Sequence, residues 1–436
     1  MGSIGLLDIT FWMVYFILIT FVLWMYKNTK TQTYYKYFLP AFFLKVFGGV
    51  LFAVIYVYYY QFGDTFLYDR GAYYLSEVLI DSPSDYIRLL ASTHAELPPD
   101  LNYIAQKISY SATHEEWFMV KLLSPLSLIA GRSYLVLTLF MSTISFWGCW
   151  KLFKVFSEMM PKRIDIAFIS VFAVPTLIFW GGGIMKDTAT LACFCYLLFA
   201  LYQISKKRTN FWLILGIVIC SLIIFKLKAY VIIAFLPSVF IVLYFRVFGR
   251  SDSQLVKYFV RPFMLSSTIS LALITLRGLA ESSEKYNADG IQGKIHGFHT
   301  WHTTQGGSVY SLGEIEYTAT GIISKIPAAL NVTFFRPYVW EVSSIVQYLT
   351  ALESLFLSVF FILILWWTKL RFFKYLGMEP FLSATFLYVL IFGFAVGFTS
   401  YNFGALARYK IPILSLFVFS LFYVYHKYRE TKDAKN

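Results

Sequence analysis

Long, uninterrupted apolar runs are the feature that most constrains how this chain can fold. Two examples are FWMVYFILITFVLWMY and LESLFLSVFFILILWW, which contain one charged residue between them. A run of about 20 apolar residues crosses the hydrocarbon core of a bilayer as a helix. Because the runs are continuous rather than alternating, they exclude a transmembrane β-barrel. With 58% hydrophobic and 14% charged residues, the chain is not a soluble globular protein either.

The runs predict an all-α fold, a polytopic transmembrane helical bundle of about 11 spans. We expect one transmembrane domain over residues 1–436, with two long outer loops at 61–132 and 280–346. In the first loop, the segments after Ser84 and after Glu115 read as amphipathic helices. In the second, IPAALNVTFFRPYVWE predicts an amphipathic or re-entrant helix that Pro337 stops. The spans are placed at 8–27, 38–60, 133–153, 164–181, 187–205, 211–225, 229–245, 259–279, 347–367, 381–398 and 409–426.

Lysine and arginine residues predict the orientation of this bundle. The chain has 37 basic residues. With the N-terminus outside and the C-terminus cytoplasmic, most of those that lie outside the two long loops fall in inner segments. Lys45 is expected to snorkel to the same side. The net charge of +13 is therefore a topology signal and predicts no nucleic-acid partner. We expect an integral protein of a bacterial inner (cytoplasmic) membrane.

Five basic residues remain on short outer turns, contrary to the positive-inside rule that predicts the orientation of the chain. Since a cation is costly to translocate near a span end, each is expected to meet an anionic partner at the outer face. These residues are Lys186, Lys226, Lys228, Arg408 and Lys410.

The stretch FWGGGIMKDTATL, residues 179–191, contains the first of these cations. Its glycines can turn backbone N–H groups inward, and Asp187 or Thr188 can cap the next span. With Lys186, such a helix N-terminus would suit a phosphate. A tight hairpin with a capped helix is the equal alternative. The spacing matches neither a P-loop nor a Rossmann fingerprint, so ATP and NAD are not expected.

The turn at Lys226–Lys228 also allows two interpretations. The apolar segments on either side are short, which suggests a turn that lies below the outer surface and lines a polar cavity. A plain hairpin with snorkelling lysines is the alternative.

Three further segments offer candidate site residues. In GDTFLYDRGAYY, Asp64 follows the second span directly, and Tyr68 comes four residues later. A partly desolvated carboxylate at this position could accept a proton from a sugar hydroxyl. The alternative is that Asp64 is only a solvated helix cap. In FFRPYVWE, the guanidinium of Arg336 suits a phosphate, and the ring of Trp340 suits a sugar ring or an isoprenoid chain. Glu341 is a second carboxylate. The alternative is that this segment only anchors the chain at the membrane interface. YNFGALARYKIP places Arg408 on the final outer turn.

Two other features of the sequence concern metal binding and buried charge. His296, His299 and His302 lie three apart, a spacing compatible with zinc, but without a cysteine or carboxylate pattern an ordinary polar loop is favoured. We therefore assign no metal site and expect no required cofactor, although a divalent metal would be compatible. Glu353 lies inside an apolar span, so it should face a cavity or pair with a cation.

The chain resembles the GT-C superfamily of membrane glycosyltransferases and the related polysaccharide polymerases. The resemblance rests on GDTFLY and the following A-Y-Y at 63–74, on the first-loop helices, and on ARYKIP at 407–412. It implies that Asp64 is a catalytic base and that Arg336, Lys186 and Arg408 hold the phosphate of a polyprenyl-phosphate donor. Here the acidic loop follows the second span rather than the first, and the common D-D or D-E pair is absent.

The expected function is transfer of a sugar from a polyprenyl-linked lipid donor to an acceptor hydroxyl, in cell-surface polysaccharide or glycoconjugate synthesis. The partners would be the lipid-linked sugar, a glycan or glycolipid acceptor, and the membrane. Asp64 and Glu341 are the predicted catalytic residues, and the substrate-binding set is Lys186, Asp187, Lys226, Lys228, Arg336, Trp340, Arg408 and Tyr68. The alternatives are a polymerase or ligase that uses polyprenyl-diphosphate-linked oligosaccharides, a transporter of lipid-linked sugars, and a scaffold in an envelope machine.

Overall fold

The computed structural model describes residues 4–93, 96–108, 114–248, 309–313, 319–342 and 344–434. Within these ranges the regular structure is helical, and the only β-type pairing is an isolated antiparallel bridge between Val309 and Asn402. This confirms the predicted all-α class. The span predicted at 259–279 and the three loop histidines lie outside the described residues.

The first half of the chain contains eleven described helices. They are α1 (Leu6–Asn28), α2 (Phe38–Ile55), α3 (Asp64–Asp81), α4 (Pro83–Ala91), α5 (Asn102–Lys107), α6 (His114–Ile129), α7 (Tyr134–Met159), α8 (Ile164–Phe172), α9 (Pro175–Trp180), α10 (Lys186–Ser205) and α11 (Phe211–Phe248). Short 3₁₀ or π turns occur at Thr33–Tyr37, Tyr56–Tyr60 and Pro99–Leu101.

The second half contains seven described helices after the residues that are not described. They are α12 (Ala319–Ser324), α13 (Ile326–Phe335), α14 (Ile345–Thr368), α15 (Arg371–Leu376), α16 (Pro380–Thr399), α17 (Phe403–Tyr409) and α18 (Ile411–Asp433). A 3₁₀ turn lies at Val339–Glu341. The helix predicted before Pro337 is confirmed as α13, which ends at Phe335.

Eight of the described helices are long and apolar enough to cross a membrane, which makes this an integral membrane protein by composition and length. The predicted span 164–181 is wrong as a continuous helix, because Pro175 disfavours helical backbone in the residue before it and the segment divides into α8 and α9. At the turn predicted around Lys226–Lys228 the structure has a kink. Two helical segments, taken together as α11, meet at Lys228, whose backbone angles are not helical. The side of the membrane on which each later segment lies therefore stays a prediction.

The two helices predicted in the first outer loop are present as α4 and α6, and a third, α3, begins at Asp64. α3 packs along α6 in extensive contact. The shared interface is apolar and buries Tyr68, Leu75, Trp117 and Val120. The same buried cluster includes Val136 of α7 and Leu227 of α11, so the loop packs on the spanning helices, which single-helix patterns did not predict.

The described chain divides into two units. The first comprises Met1–Ala173, Leu177–Phe199 and Trp212–Ala229; the second comprises Val174–Thr176, Ala200–Phe211 and Tyr230–Asn436. In the first unit α2 packs against α7, and α1 packs against both. In the second unit α13 packs against α16, and α18 contacts α14, α15 and α16.

The triple glycine lies where backbone segments of the first unit approach one another closely. A Cβ on Gly182 would lie 2.6 Å from the backbone N of Gly49 in α2, and a Cβ on Gly183 would overlap the ring of Phe52. The hydroxyl of Ser142 in α7 donates to the carbonyl oxygen of Gly182 at 2.7 Å. These glycines allow the turn after α9 to pack directly against α2 and α7.

Lys45 does not snorkel out of the protein as the sequence suggested. Its side chain is buried in α2, and Nζ donates to the carbonyl oxygens of Leu177 at 3.1 Å and Gly181 at 3.5 Å. A cation is favourable there because the carbonyls at a helix C-terminus carry partial negative charge. Lys45 thus anchors the end of α9 to α2.

Candidate functional site

A network of charged side chains in the first unit gathers around the start of α10. Nζ of Lys186, the first residue of α10, donates to Glu115 Oε2 at 2.9 Å and to Glu116 Oε1 at 2.6 Å. Both glutamates lie in the first turn of α6, where the helix dipole favours acidic side chains. Lys186 is nearly buried, whereas Glu115 is more than half exposed. The anionic partner expected for Lys186 is therefore supplied by the chain itself.

The next residue of α10 forms a second ion pair, which is deeply buried. Asp187 Oδ1 accepts a hydrogen bond from Nζ of Lys228, and the two side chains are 2% and 7% exposed. Lys228 is also the residue at which α11 departs from helical backbone angles. The pair thus ties the kink of α11 to the first turn of α10.

The capping prediction for α10 is wrong in its geometry. Because the helix begins at Lys186, Asp187 and Thr188 lie inside the first turn rather than before it. The hydroxyl of Thr188 donates to the carbonyl oxygen of Trp180, at 3.2 Å. Both side chains hold neighbouring segments together instead of capping α10.

Lys226 differs from its neighbour Lys228. It is exposed, and no carboxylate of the described residues pairs with it. A second cation, Lys121 on α6, lies near enough for their charges to repel. Lys121 Nζ donates to the backbone carbonyls of Leu90, at 2.9 Å, and Ser92. Sequence patterns missed Lys121, since nothing in α6 alone shows its nearness to a lysine that lies about a hundred residues later.

Burial, and to a smaller extent the charge of Lys226, lowers the pKa of Lys121 to about 8. No acidic side chain contributes to this shift. An anion bound between Lys121 and Lys226 would relieve their repulsion and favour the charged form of Lys121. Within the first unit, these two lysines are therefore better placed to receive an external anion than the ion-paired Lys186 and Lys228.

The predicted base, Asp64, is the first residue of α3 and is partly buried. Tyr68, one turn later, is only 1% exposed and belongs to the apolar core between α3 and α6.

The residue after Tyr68 is a second carboxylate of α3, Asp69. Burial, and then the nearby carboxylate of Asp8 in α1, raise the pKa of Asp69 to about 7, against a smaller opposing effect of Arg70. A carboxylate with a pKa near neutrality is suited to proton transfer.

Three of the predicted residues of the second unit, Arg336, Trp340 and Glu341, form one cluster. Arg336 binds Glu341 through both carboxylate oxygens, with Nε at 3.0 Å from each, and Glu341 also accepts the backbone N–H of Tyr338 at 2.8 Å. Burial raises the pKa of Glu341, but the hydrogen bonds from Arg336 and Tyr338 outweigh it and bring the pKa below its ordinary value. A lowered pKa makes Glu341 a weaker base.

Aromatic rings surround the guanidinium of Arg336. Its central carbon lies 5.2 Å from the ring centre of Phe403 and 5.7 Å from those of Tyr310 and Tyr338. Trp340 stacks on Tyr338, with ring centres 5.0 Å apart, and is 81% exposed. The cluster therefore presents a rigidly supported, outward-facing indole.

Arg408 lies on α17, with its guanidinium 5.4 Å from the ring centre of Tyr409. The ten predicted site residues thus fall into two groups. Asp64, Tyr68, Lys186, Asp187, Lys226 and Lys228 belong to the first unit; Arg336, Trp340, Glu341 and Arg408 belong to the second.

In the part of the chain that the structure describes, no three histidine, cysteine, aspartate or glutamate side chains come together in a way that could hold a metal ion. Comparison of the sequence with protein-family models and with curated proteins, and of the structure with solved structures, finds no match. The site is therefore interpreted from its own chemistry.

Proposed function

We propose that this protein is a membrane glycosyltransferase that moves a sugar from a polyprenyl-phosphate lipid to an acceptor hydroxyl at the extracytoplasmic face of a bacterial inner membrane. The observation that supports it most is the position of α6. This helix packs along α3, which contains Asp64 and Asp69, carries Lys121, and is ion-paired to α10 through Lys186. One helix therefore connects candidate bases with candidate phosphate ligands.

The reaction needs few chemical groups. The acceptor hydroxyl must lose a proton as its oxygen forms a bond to the sugar's anomeric carbon, and the bond from that carbon to the phosphate oxygen must break. The proton passes to a carboxylate, and the electron pair leaves with the lipid phosphate. Asp64 is the base by resemblance to the GT-C superfamily, and the pKa of about 7 for Asp69 makes it the second candidate.

Cations must stabilise the phosphate as it departs. We assign this role first to Lys226 and Lys121, because no carboxylate of the described residues neutralises either one. In this proposal Lys186 and Lys228 set the positions of α6, α10 and α11 through their ion pairs. A phosphate could bind Lys186 as well, by sharing it with the exposed Glu115.

The second unit offers a surface of its own on which a sugar or lipid chain could pack. The exposed Trp340, held against Tyr338, offers a flat apolar face of the kind on which sugar rings or isoprenoid chains pack. Arg336, whose fork already binds Glu341, supports this aromatic cluster from beneath.

The test uses purified protein in liposomes that contain a pool of polyprenyl-phosphate-linked sugars, with glycan and glycolipid acceptors added. The release of free polyprenyl phosphate is followed over time. We expect release by the unaltered protein, loss of release in the variant at the true base, Asp64→Asn or Asp69→Asn, and a raised KM for the donor in Lys226→Gln.

The matched control is Asp100→Asn, which removes an exposed carboxylate of the same loop whose partner is the exposed Arg88. It should leave release unchanged. Release that persists in both aspartate variants, with folding intact, would refute a carboxylate base on α3. No release from any donor by the unaltered protein would refute the transferase itself.

A transporter of lipid-linked sugars is the second candidate, and one observation favours it. Lys45 and Glu353 are both buried within helices long and apolar enough to cross a membrane, and charges at such positions often mark a transport path. In the same liposomes, movement of intact sugar lipid between leaflets without release of polyprenyl phosphate would favour this candidate.

A further inference from the structure

The second unit contains a buried acidic group inside a membrane-spanning helix. Glu353 lies on α14 and is 7% exposed. Its Oε2 accepts a hydrogen bond from the backbone N–H of Thr176 at 2.7 Å. Its other oxygen, Oε1, is buried and has no hydrogen-bond partner among the described residues. Half of this carboxylate's hydrogen-bonding capacity is thus unused by the described protein groups.

A buried cation faces the same region. Lys410 immediately precedes α18, which packs against α14, and its side chain is 0% exposed. Nζ of Lys410 likewise has no hydrogen-bond partner among the described residues. Glu353 and Lys410 attract one another electrostatically, but the structure shows no direct ion pair between them.

A third polar atom completes the set. The hydroxyl oxygen of Thr176 is buried and lies beside the Glu353 carboxylate, but its geometry is not that of a hydrogen bond. Glu353 therefore contacts Thr176 and interacts electrostatically with Lys410. Three different chain segments contribute one unused polar atom each.

Such an arrangement is not stable as a dry contact. A buried polar group without a hydrogen bond costs about 1–3 kcal/mol, and a charged group costs more. A buried ion pair offsets the loss of hydration only when its geometry is close and its remaining donors and acceptors are satisfied. Buried waters typically make about three hydrogen bonds to groups of this kind.

We propose that Thr176, Glu353 and Lys410 enclose a hydrated polar site, in which one ordered water links the carboxylate to the ammonium group. The water accepts a hydrogen bond from Lys410 Nζ, donates one to Glu353 Oε1, and exchanges one with the Thr176 hydroxyl. Donors and acceptors then match, and no proton needs to move. This inference is independent of the proposed glycosyltransferase activity.

The chain contains a matched control for this site. Lys45 is also a buried lysine within the helical protein, but its Nζ donates directly to two backbone carbonyl oxygens. We expect no water at Lys45 Nζ, so this group should receive no magnetisation from internal water. The two lysines therefore differ in hydration while they share deep burial.

The test is solid-state NMR of the full-length protein, isotopically labelled and reconstituted in liposomes, with magnetisation transferred from water protons to the lysine side-chain ends. Signals are assigned by their disappearance in Lys410→Met and Lys45→Met, or in Lys410→Arg if Lys410→Met does not fold. We expect a water-transfer signal at Lys410 that Lys45 lacks. The nearly isosteric Thr176→Val should weaken that signal because the water loses one partner.

A Lys410 signal no stronger than that of Lys45 would overturn the proposal, since it would mean that Lys410 and Glu353 form a dry contact. An undiminished Lys410 signal in Thr176→Val would overturn the three-residue site. Both readouts are independent of any enzyme assay, so they remain decisive if the protein transfers no sugar.

Discussion

Removing one partner of the Asp187–Lys228 ion pair should destabilise the protein far more than removing both. The side chains are 2% and 7% exposed, so Lys228→Met would remove the cation that pairs with the buried carboxylate of Asp187. Loss of one partner of a buried pair costs about 3–5 kcal/mol. Replacing both charges by neutral groups of similar size is often nearly neutral. We therefore expect each of Asp187→Asn and Lys228→Met to cost about 3 kcal/mol, and the double variant about 1 kcal/mol.

The assay is unfolding of the purified protein in mixed detergent micelles, monitored by circular dichroism, with a double-mutant cycle over the four proteins. Arg88→Met is the matched control, because it removes a cation from an exposed pair with Asp100 and should cost less than either single change. The same proteins are tested for donor turnover. Retained activity in the folded double variant would show that the pair positions helices and does not bind substrate.

Two results would refute this reasoning. If each single variant unfolds within about 1 kcal/mol of the original protein, the pair is not buried and coupled as described. If the cost of the double variant equals the sum of the two single costs, the charges act independently. A double variant that folds but is inactive would return Asp187 and Lys228 to the substrate-binding set.

Four other expectations follow from the same structure. Because the pKa of Asp69 is raised to about 7, the group's contribution to stability falls as pH rises from about 4 to 7, by about 1.4 kcal/mol for each pH unit. Asp69→Asn should remove this fall and stabilise the protein by about 4 kcal/mol at pH 8, as measured by unfolding at pH 5 and 8. Because the pKa of Lys121 is lowered to about 8, binding of a polyprenyl-phosphate donor should weaken above pH 8, and Lys121→Met should remove that dependence in a titration of donor affinity. Gly182→Ala should destabilise by about 1–3 kcal/mol, since its Cβ would meet backbone atoms of α2; unfolding of the variant checks this. Arg336→Lys should be nearly as destabilising as Arg336→Ala, because lysine cannot reproduce the two-oxygen contact with Glu341, and thermal melts of both variants compare them.

The fold class and most spans were readable from the sequence because continuous apolar runs leave few alternatives in a bilayer. The error occurred where a local feature divides an apolar run. The sequence predicts one span through Pro175, whereas this residue separates α8 from α9. At 226–228 the charged residues predict an interruption, and the structure has a kink there, with non-helical backbone angles at Lys228. Hydropathy averages over a single residue such as Pro175 and so cannot place the break that it causes.

The glycine-rich stretch shows a different limit. GGG at 181–183 suggested a phosphate cradle or a tight turn, and the alternatives were equal on local chemistry. Its partner is the Gly48–Gly49 pair in α2, more than 130 residues earlier, where only glycine permits the observed approach. Two glycine clusters in neighbouring apolar runs are themselves a signal of close helix packing, and that signal could have favoured a packing role.

The cations on the predicted outer turns were expected to require anionic partners, and the structure supplies several of them from within the chain. Lys186 meets Glu115 and Glu116 of α6, and Lys228 meets Asp187. These partners lie 41 to 71 residues apart in sequence, so no local pattern could connect them. Lys226 is different, because no described carboxylate pairs with it and its charge repels that of Lys121. An external anion is the simplest means of stabilising two such cations, and the search for a lipid phosphate site should begin there.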